Sequence, residues 1–175
     1  EQRYREDPVR LLRAVRFAGK LGFSIHPETE APMRELAPLL ASVPPARLFD
    51  ETLKLFLAGH ARNTLEVLER YHLLAPMFPS LHSALHGDAS GRWRNFVNAG
   101  LAGGDERVAA DRPVTPTFLF ATLLYPAIDA LAQRRHPGLA HTSSAFGQAL
   151  GAACDEIASA QVKRIAIPKR FTLPL

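Results

Sequence analysis

No stretch of this chain alternates apolar and polar residues for more than a few positions, while Pro and Gly recur at spacings that leave helix-length segments between them. A half-buried sheet needs that period of two, so the chain is confined to helix packed on helix, an all-α fold. Asp7-Pro8 reads as a helix start and Gly22 as its stop. Pro27-Glu28-Thr29-Glu30 opens a second helix carrying Met33, Leu36 and Leu40 at helical spacing. Pro44-Pro45 opens a third, with Leu48, Leu53, Phe56 and Leu57, and a fourth runs from Arg62 to Tyr71. The polar, Gly-bearing residues 83–92 and the charged residues 100–112 predict loops. Residues 116–131 are the most apolar and predict a buried helix, kinked or broken at Pro126. A last helix spans Ser143 to Ile165 and ends ahead of Pro168. These signals divide the chain into a helical unit over 1–82, a loop-rich connection with a short helix over 83–112, and a second helical unit over 113–175.

Composition narrows the setting. No apolar run approaches the ~20 residues that cross a bilayer, and the single Cys154 allows no internal disulfide and fits the cytoplasm. The chain opens on Glu1 without a Met, the expectation being a piece of something longer. Its net charge of +4 is concentrated at the two ends. Arg3, Arg5, Arg10, Arg13, Arg16 and Lys20 face only Glu1, Glu6 and Asp7, and Lys163, Arg164, Lys169 and Arg170 have no acid near them in sequence. Such foci suit a phosphate-bearing partner, or at the last helix a favourable dipole interaction.

Chemistry is densest from Arg5 to Phe17. At ~100° per residue, Leu11, Val15 and Ala18 share one face while Arg10, Arg13 and Arg16 step around the other. Residues three apart rise ~4.5 Å, so these arginines form a short ladder of forked donors suited to an anion such as a triphosphate. Asp7 accepts hydrogen bonds and Arg10 only donates them. Together they match a base edge with an amino group beside an unprotonated ring nitrogen, the edge that adenine and cytosine share. Guanine and uracil would set donor against donor, at ~1–3 kcal/mol for each buried polar group left unpaired. The pair therefore selects A or C without separating them. The plain alternative makes Asp7 a helix cap and Arg10 a surface partner of Glu6. Elsewhere, His82 and His86 stand four apart without a third ligand, so no metal site is expected. Gly100 with Gly103-Gly104 lacks the strand and Lys-Ser/Thr of a phosphate loop, and Cys154 reads as core.

Residues Glu6-Asp7-Pro8-Val9-Arg10 through Phe17, continuing over Lys20-Leu21-Gly22-Phe23 to Thr29, closely resemble the neck helix of the class II tRNA nucleotidyltransferase and poly(A) polymerase family, with its E-D-x-x-R motif. The resemblance implies that Asp7 and Arg10 contact the base of the incoming nucleotide, with Arg13 and Arg16 lining its site and Glu6 in support. A second block, Pro44 to Lys54, is similar to the family's E-R-x-x-x-E-x-x-K helix and implies that Arg47, Glu51 and Lys54 brace the nucleotide helix. It departs in having Ala46 where many CCA-adding members have Glu. The runs at 44–49, 113–120 and 165–170 resemble the bacterial poly(A) polymerase branch rather than the CCA-adding one.

That family transfers AMP from ATP to an RNA 3′ hydroxyl, using divalent metal held by carboxylates of a head domain. The head's Gly-rich loop and paired aspartates do not occur in this chain, and Asp50-Glu51 and Asp155-Glu156 are neighbours that point apart on helices. The resemblance thus implies a neck (1–82) and body (113–175), with ATP as substrate, RNA as partner and Mg bound by the head. The expected behaviour is RNA binding and base reading without extension of RNA, with Lys163, Arg164, Lys169 and Arg170 on RNA phosphates. The body of a CCA-adding enzyme is the near alternative, and a non-catalytic helical RNA-binding module is one of another class. Partnership with an RNA helicase or the RNA-degradation machinery is left open.

Overall fold

The computed structural model describes residues 1–172, which form helices and no strand. In order these are α1 (Gln2–Glu6), α2 (Val9–Leu21), α3 (Pro27–Glu30), α4 (Met33–Leu36), a 3₁₀ helix (Ala37–Ser42), α5 (Pro45–Phe56), α6 (Ala61–Arg70), α7 (Leu74–Met77), α8 (Pro79–Gly87), α9 (Arg92–Ala109), α10 (Pro116–Arg135), α11 (Ser144–Ile165) and α12 (Lys169–Thr172). Helix α2 packs on α5 and α6, α6 on α9, and α10 on α8, α9 and α11. One hydrophobic core runs through them from Tyr4 to Ile167.

Several ends follow their local chemistry. Gly22 closes α2 with φ +65°, its N–H donating to the Ala18 carbonyl at 2.9 Å, a left-handed turn that costs glycine little. Thr115 and Ser143 cap α10 and α11 by accepting from the amides of Phe118 (3.2 Å) and Phe146 (3.1 Å). The second helix expected from Pro27 is instead three short pieces, because Pro32 and Pro38 each remove an amide and clash with the preceding turn.

Two further expectations fail. Residues 83–112 are not loop-rich: α8 extends to Gly87 and α9 occupies 92–109. Asp88 folds the intervening turn by accepting from the amides of Ser90 (3.1 Å) and Trp93 (2.6 Å), and the buried Trp93, Val97, Leu101 and Gly104 then form one stripe at helical spacing. Nor does Pro126 break α10, which is continuous from Pro116 to Arg135. Packing of Leu119, Phe120, Leu123, Leu124, Ile128 and Leu131 into the core outweighs the ~3 kcal/mol a proline costs inside a helix.

Candidate nucleotide-reading and RNA-binding site

Asp7 ends α1 in an extended conformation and does not cap α2 through its side chain. The Arg10 amide donates to the Asp7 carbonyl at 3.0 Å, closing a turn between the two residues. From α5, Arg47 reaches across and grips the carboxylate with both arms. Its Nη1 lies 2.9 Å from Oδ1 and its Nη2 donates to Oδ2 at 3.0 Å. The approach at Oδ1 is an ion pair without hydrogen-bond alignment, leaving that buried oxygen with no aligned donor. The pair is partly solvated, so it adds at most ~1 kcal/mol to stability; its main effect is to fix where the carboxylate points.

Arg10 and Arg13 are exposed and Arg16 half-buried, and among the described residues none of the three forms an ion pair. Glu6 accepts from Gln2 at 2.9 Å rather than pairing with Arg10. The opposite face of α2, Val9, Leu11, Leu12 and Val15, is wholly buried. Further along α5, buried Glu51 accepts from Lys54 Nζ at 2.9 Å, and its other oxygen has no partner. The helix motifs thus converge at Asp7–Arg47, while Glu51 and Lys54 pair with each other one to two turns away.

The C-terminal cations divide. Lys163, Lys169 and Arg170 are exposed, Arg170 lying over the Phe171 ring at 4.8 Å. Arg164 is half-buried and donates to main-chain carbonyls of Leu40 (2.8 Å), Ala41 (3.5 Å) and Pro76, and burial holds its guanidinium below the usual range. Beside it Gln161, also buried, donates to the Met77 carbonyl at 2.8 Å. Arg164 is therefore a clamp joining α11 to the ends of the 3₁₀ helix and α7. Nothing in its sequence neighbourhood announced carbonyls over eighty residues away.

His82 and His86 lie on α8 with rings stacked 4.0 Å apart, and His86 Nδ1 is 2.9 Å from the His82 carbonyl. Burial chiefly, with the neighbouring His86, pulls the His82 pKa down. Trp93 is packed edge-on against Phe96 and Tyr125. Cys154 is half-buried, its thiol pushed up by burial and then by Asp155.

Residues 22–85 match a protein-family model described as "Probable RNA and SrmB- binding site of polymerase A". The segment starts where α2 ends and includes Arg47, Glu51 and Lys54. The chain is 42% identical over 174 residues to poly(A) polymerase I of Escherichia coli O6:H1, covering 98% of this chain and 36% of that protein. Against poly(A) polymerase I of Haemophilus influenzae it is 37% identical over 171 residues, 97% of this chain and 37% of the relative. The CCA-adding enzyme of Geobacillus stearothermophilus is 38% identical over 95 residues, 53% of this chain and 24% of that enzyme. The chain spans little more than a third of the length of the poly(A) polymerases it matches. With 37–42% identity to those proteins along nearly all of its length, and the polymerase A RNA-binding region model matched within it, the chain is similar to about a third of a bacterial poly(A) polymerase.

Proposed function

We propose that this chain reads the base of ATP and holds RNA, as the recognition part of a polymerase that adds AMP to RNA 3′ ends. The observation that carries this reading is the Asp7 carboxylate held by Arg47 one backbone turn from Arg10, which has no ion-pair partner among the described residues; an acceptor and a donor in that order suit the amino and ring-nitrogen edge of adenine. Cytosine offers the same edge. Adenine is favoured because likeness to poly(A) polymerase I covers 98% of the chain, against 53% for the CCA-adding relative. In the reaction the RNA 3′ oxygen attacks the α-phosphorus of ATP, a new O–P bond forms, and pyrophosphate leaves. Mg, where bound, neutralises the charge on the phosphates. Its carboxylate ligands are assigned outside these residues, since Glu51 is buried against Lys54 and Glu156 is held by Arg135 at 2.7 Å. RNA binding is placed on residues 22–85 and on Lys163, Lys169 and Arg170, with Arg13 and Arg16 lining the nucleotide site. A protein partner of the kind in the family description belongs on the surface of 22–85, and the cytoplasm is the setting.

Competition of ATP, CTP, GTP and UTP against a fluorescent ATP analogue on the 175-residue chain tests the reading. ATP should displace the probe, GTP and UTP should fail, and Arg10→Ala should erase the difference. Equal competition by all four nucleotides defeats base reading. Extension of an RNA primer by this chain with ATP and Mg defeats the assignment of catalysis elsewhere.

A further inference from the structure

Where the last turns of α2 and α5 meet the first turn of α6, a cleft of about 300 Å³ opens. Arg16 and Lys20 enter it from α2, Lys54 from α5, and His60 and Thr64 from the start of α6, with Phe17 among the lining residues. No carboxylate lines it. Two acids on the surrounding helices are occupied: Glu51 accepts from Lys54, and Asp105 accepts from the Ala61 and Arg62 amides at the N-terminus of α6. Among the described residues Arg16 and Lys20 have no ion-pair partner.

Cations at helix C-termini are ordinary, and the dipoles of α2 and α5 account for Lys20 and Lys54 taken singly. They do not account for cations from two helices lining one concave wall. Thr64, 1% exposed, lines the same wall. The side chains present are donors of the sort that hold a tetrahedral oxyanion: a guanidinium, two ammonium groups, an imidazole and a hydroxyl. Phe17 is 54% exposed, and the Arg16 guanidinium lies over its ring at 5.3 Å, which gives the site a flat wall on which a base or ribose can rest.

We propose that this cleft is a phosphate-binding subsite, with Arg16, Lys20 and Lys54 supplying charge and His60 and Thr64 supplying hydrogen bonds. It rests on the reading of α2 as the nucleotide-facing helix. Arg16 is ~9 Å and Lys20 ~15 Å along that helix from Arg10, so the subsite lies beyond the base-reading end and takes a different part of the ligand. The phosphate belongs either to the RNA strand or to the triphosphate of the bound nucleotide.

Lys20→Ala and His60→Ala, made in the 175-residue chain and checked for unchanged unfolding, separate these. Lys169→Ala serves as a cation control away from the cleft. Binding is measured by anisotropy of a labelled oligoadenylate, and by calorimetry with ATP and with pyrophosphate, across a salt series. Loss of RNA affinity by about 3- to 10-fold, with a salt slope lower by about 1 for Lys20→Ala and ATP unaffected, assigns the phosphate to RNA. Loss of ATP and pyrophosphate binding with RNA unaffected assigns it to the triphosphate. If both folded variants bind all three probes as the parent does, the proposal is wrong. Failure of the base reading looks different: the parent would bind ATP and GTP equally, whichever of the three probes Lys20→Ala and His60→Ala weaken.

Discussion

Asp105 carries a stability term that can be worked from the structure. Helix α6 begins at Ala61 with no side-chain cap from its own N-cap residue, His60. Its first two amides are instead met by a carboxylate from α9, with Ala61 N–H donating to Oδ1 at 2.7 Å and Arg62 N–H to Oδ2 at 3.2 Å. Ala61 is 2% exposed, so water does not replace the first bond. Asp105→Ala loses a hydrogen bond to a charged acceptor, about 1.5–3 kcal/mol when the donor stays buried. It also removes a negative charge from a helix N-terminus, about 0.3–1 kcal/mol. The exposed Arg62 amide is resolvated and adds little. The expected loss is about 2–3 kcal/mol, a large share of the ~5–15 kcal/mol typical of a domain. Asp105→Asn keeps an acceptor without the charge and should lose about half as much. Urea unfolding followed by circular dichroism reads this as a midpoint lowered by ~1 M at an unchanged slope near 2 kcal/mol/M. A midpoint for Asp105→Ala equivalent to less than ~0.5 kcal/mol of loss would refute the cap.

Arg47→Ala frees the Asp7 carboxylate, and should cost under ~1 kcal/mol of stability while narrowing the ATP-over-GTP preference in competition binding. Arg47→Lys should not restore that preference, since one ammonium cannot grip both oxygens. Arg164→Ala strips donors from the Leu40 and Pro76 carbonyls and should lower unfolding stability by about 2–3 kcal/mol, whereas Lys163→Ala should change stability by under ~0.5 kcal/mol and act on the salt slope of RNA binding. Gly100→Ala places a Cβ 2.5 Å from Thr122 Cγ2, an overlap costing about 1–3 kcal/mol against ~1 kcal/mol gained in helix propensity. Gly103→Ala meets nothing within 4 Å and keeps only the gain, so thermal melts should move in opposite directions. The Cys154 thiol, raised by burial, should react with iodoacetamide more slowly at mildly alkaline pH than free cysteine.

What was legible in the sequence had a local cause. Gly22 ends α2 because glycine takes the left-handed turn without the strain of a side chain, and Pro45 starts α5 because the first helical position needs no amide. The apolar face of α2 shows at a spacing of three and four within one helix. The turn from Asp7 to Arg10 is equally local. What failed depended on partners far along the chain. Gly100, Gly103 and Gly104 looked like breakers, yet Gly100 sits where α9 meets Thr122 of α10, and an added methyl there would have no room. In that setting glycine marks a close helix contact rather than a loop, and only the spacing of Trp93, Val97, Leu101 and Gly104 distinguishes the two. Arg164 teaches the same about charge. A cation beside Lys163 in a basic tail looks free for phosphate, but its donors are used by carbonyls of the 3₁₀ helix and α7. Charge counted along the chain therefore overstates what a surface can offer to RNA, whereas among the described residues Arg10, Arg13 and Arg16 of α2 form no ion pair.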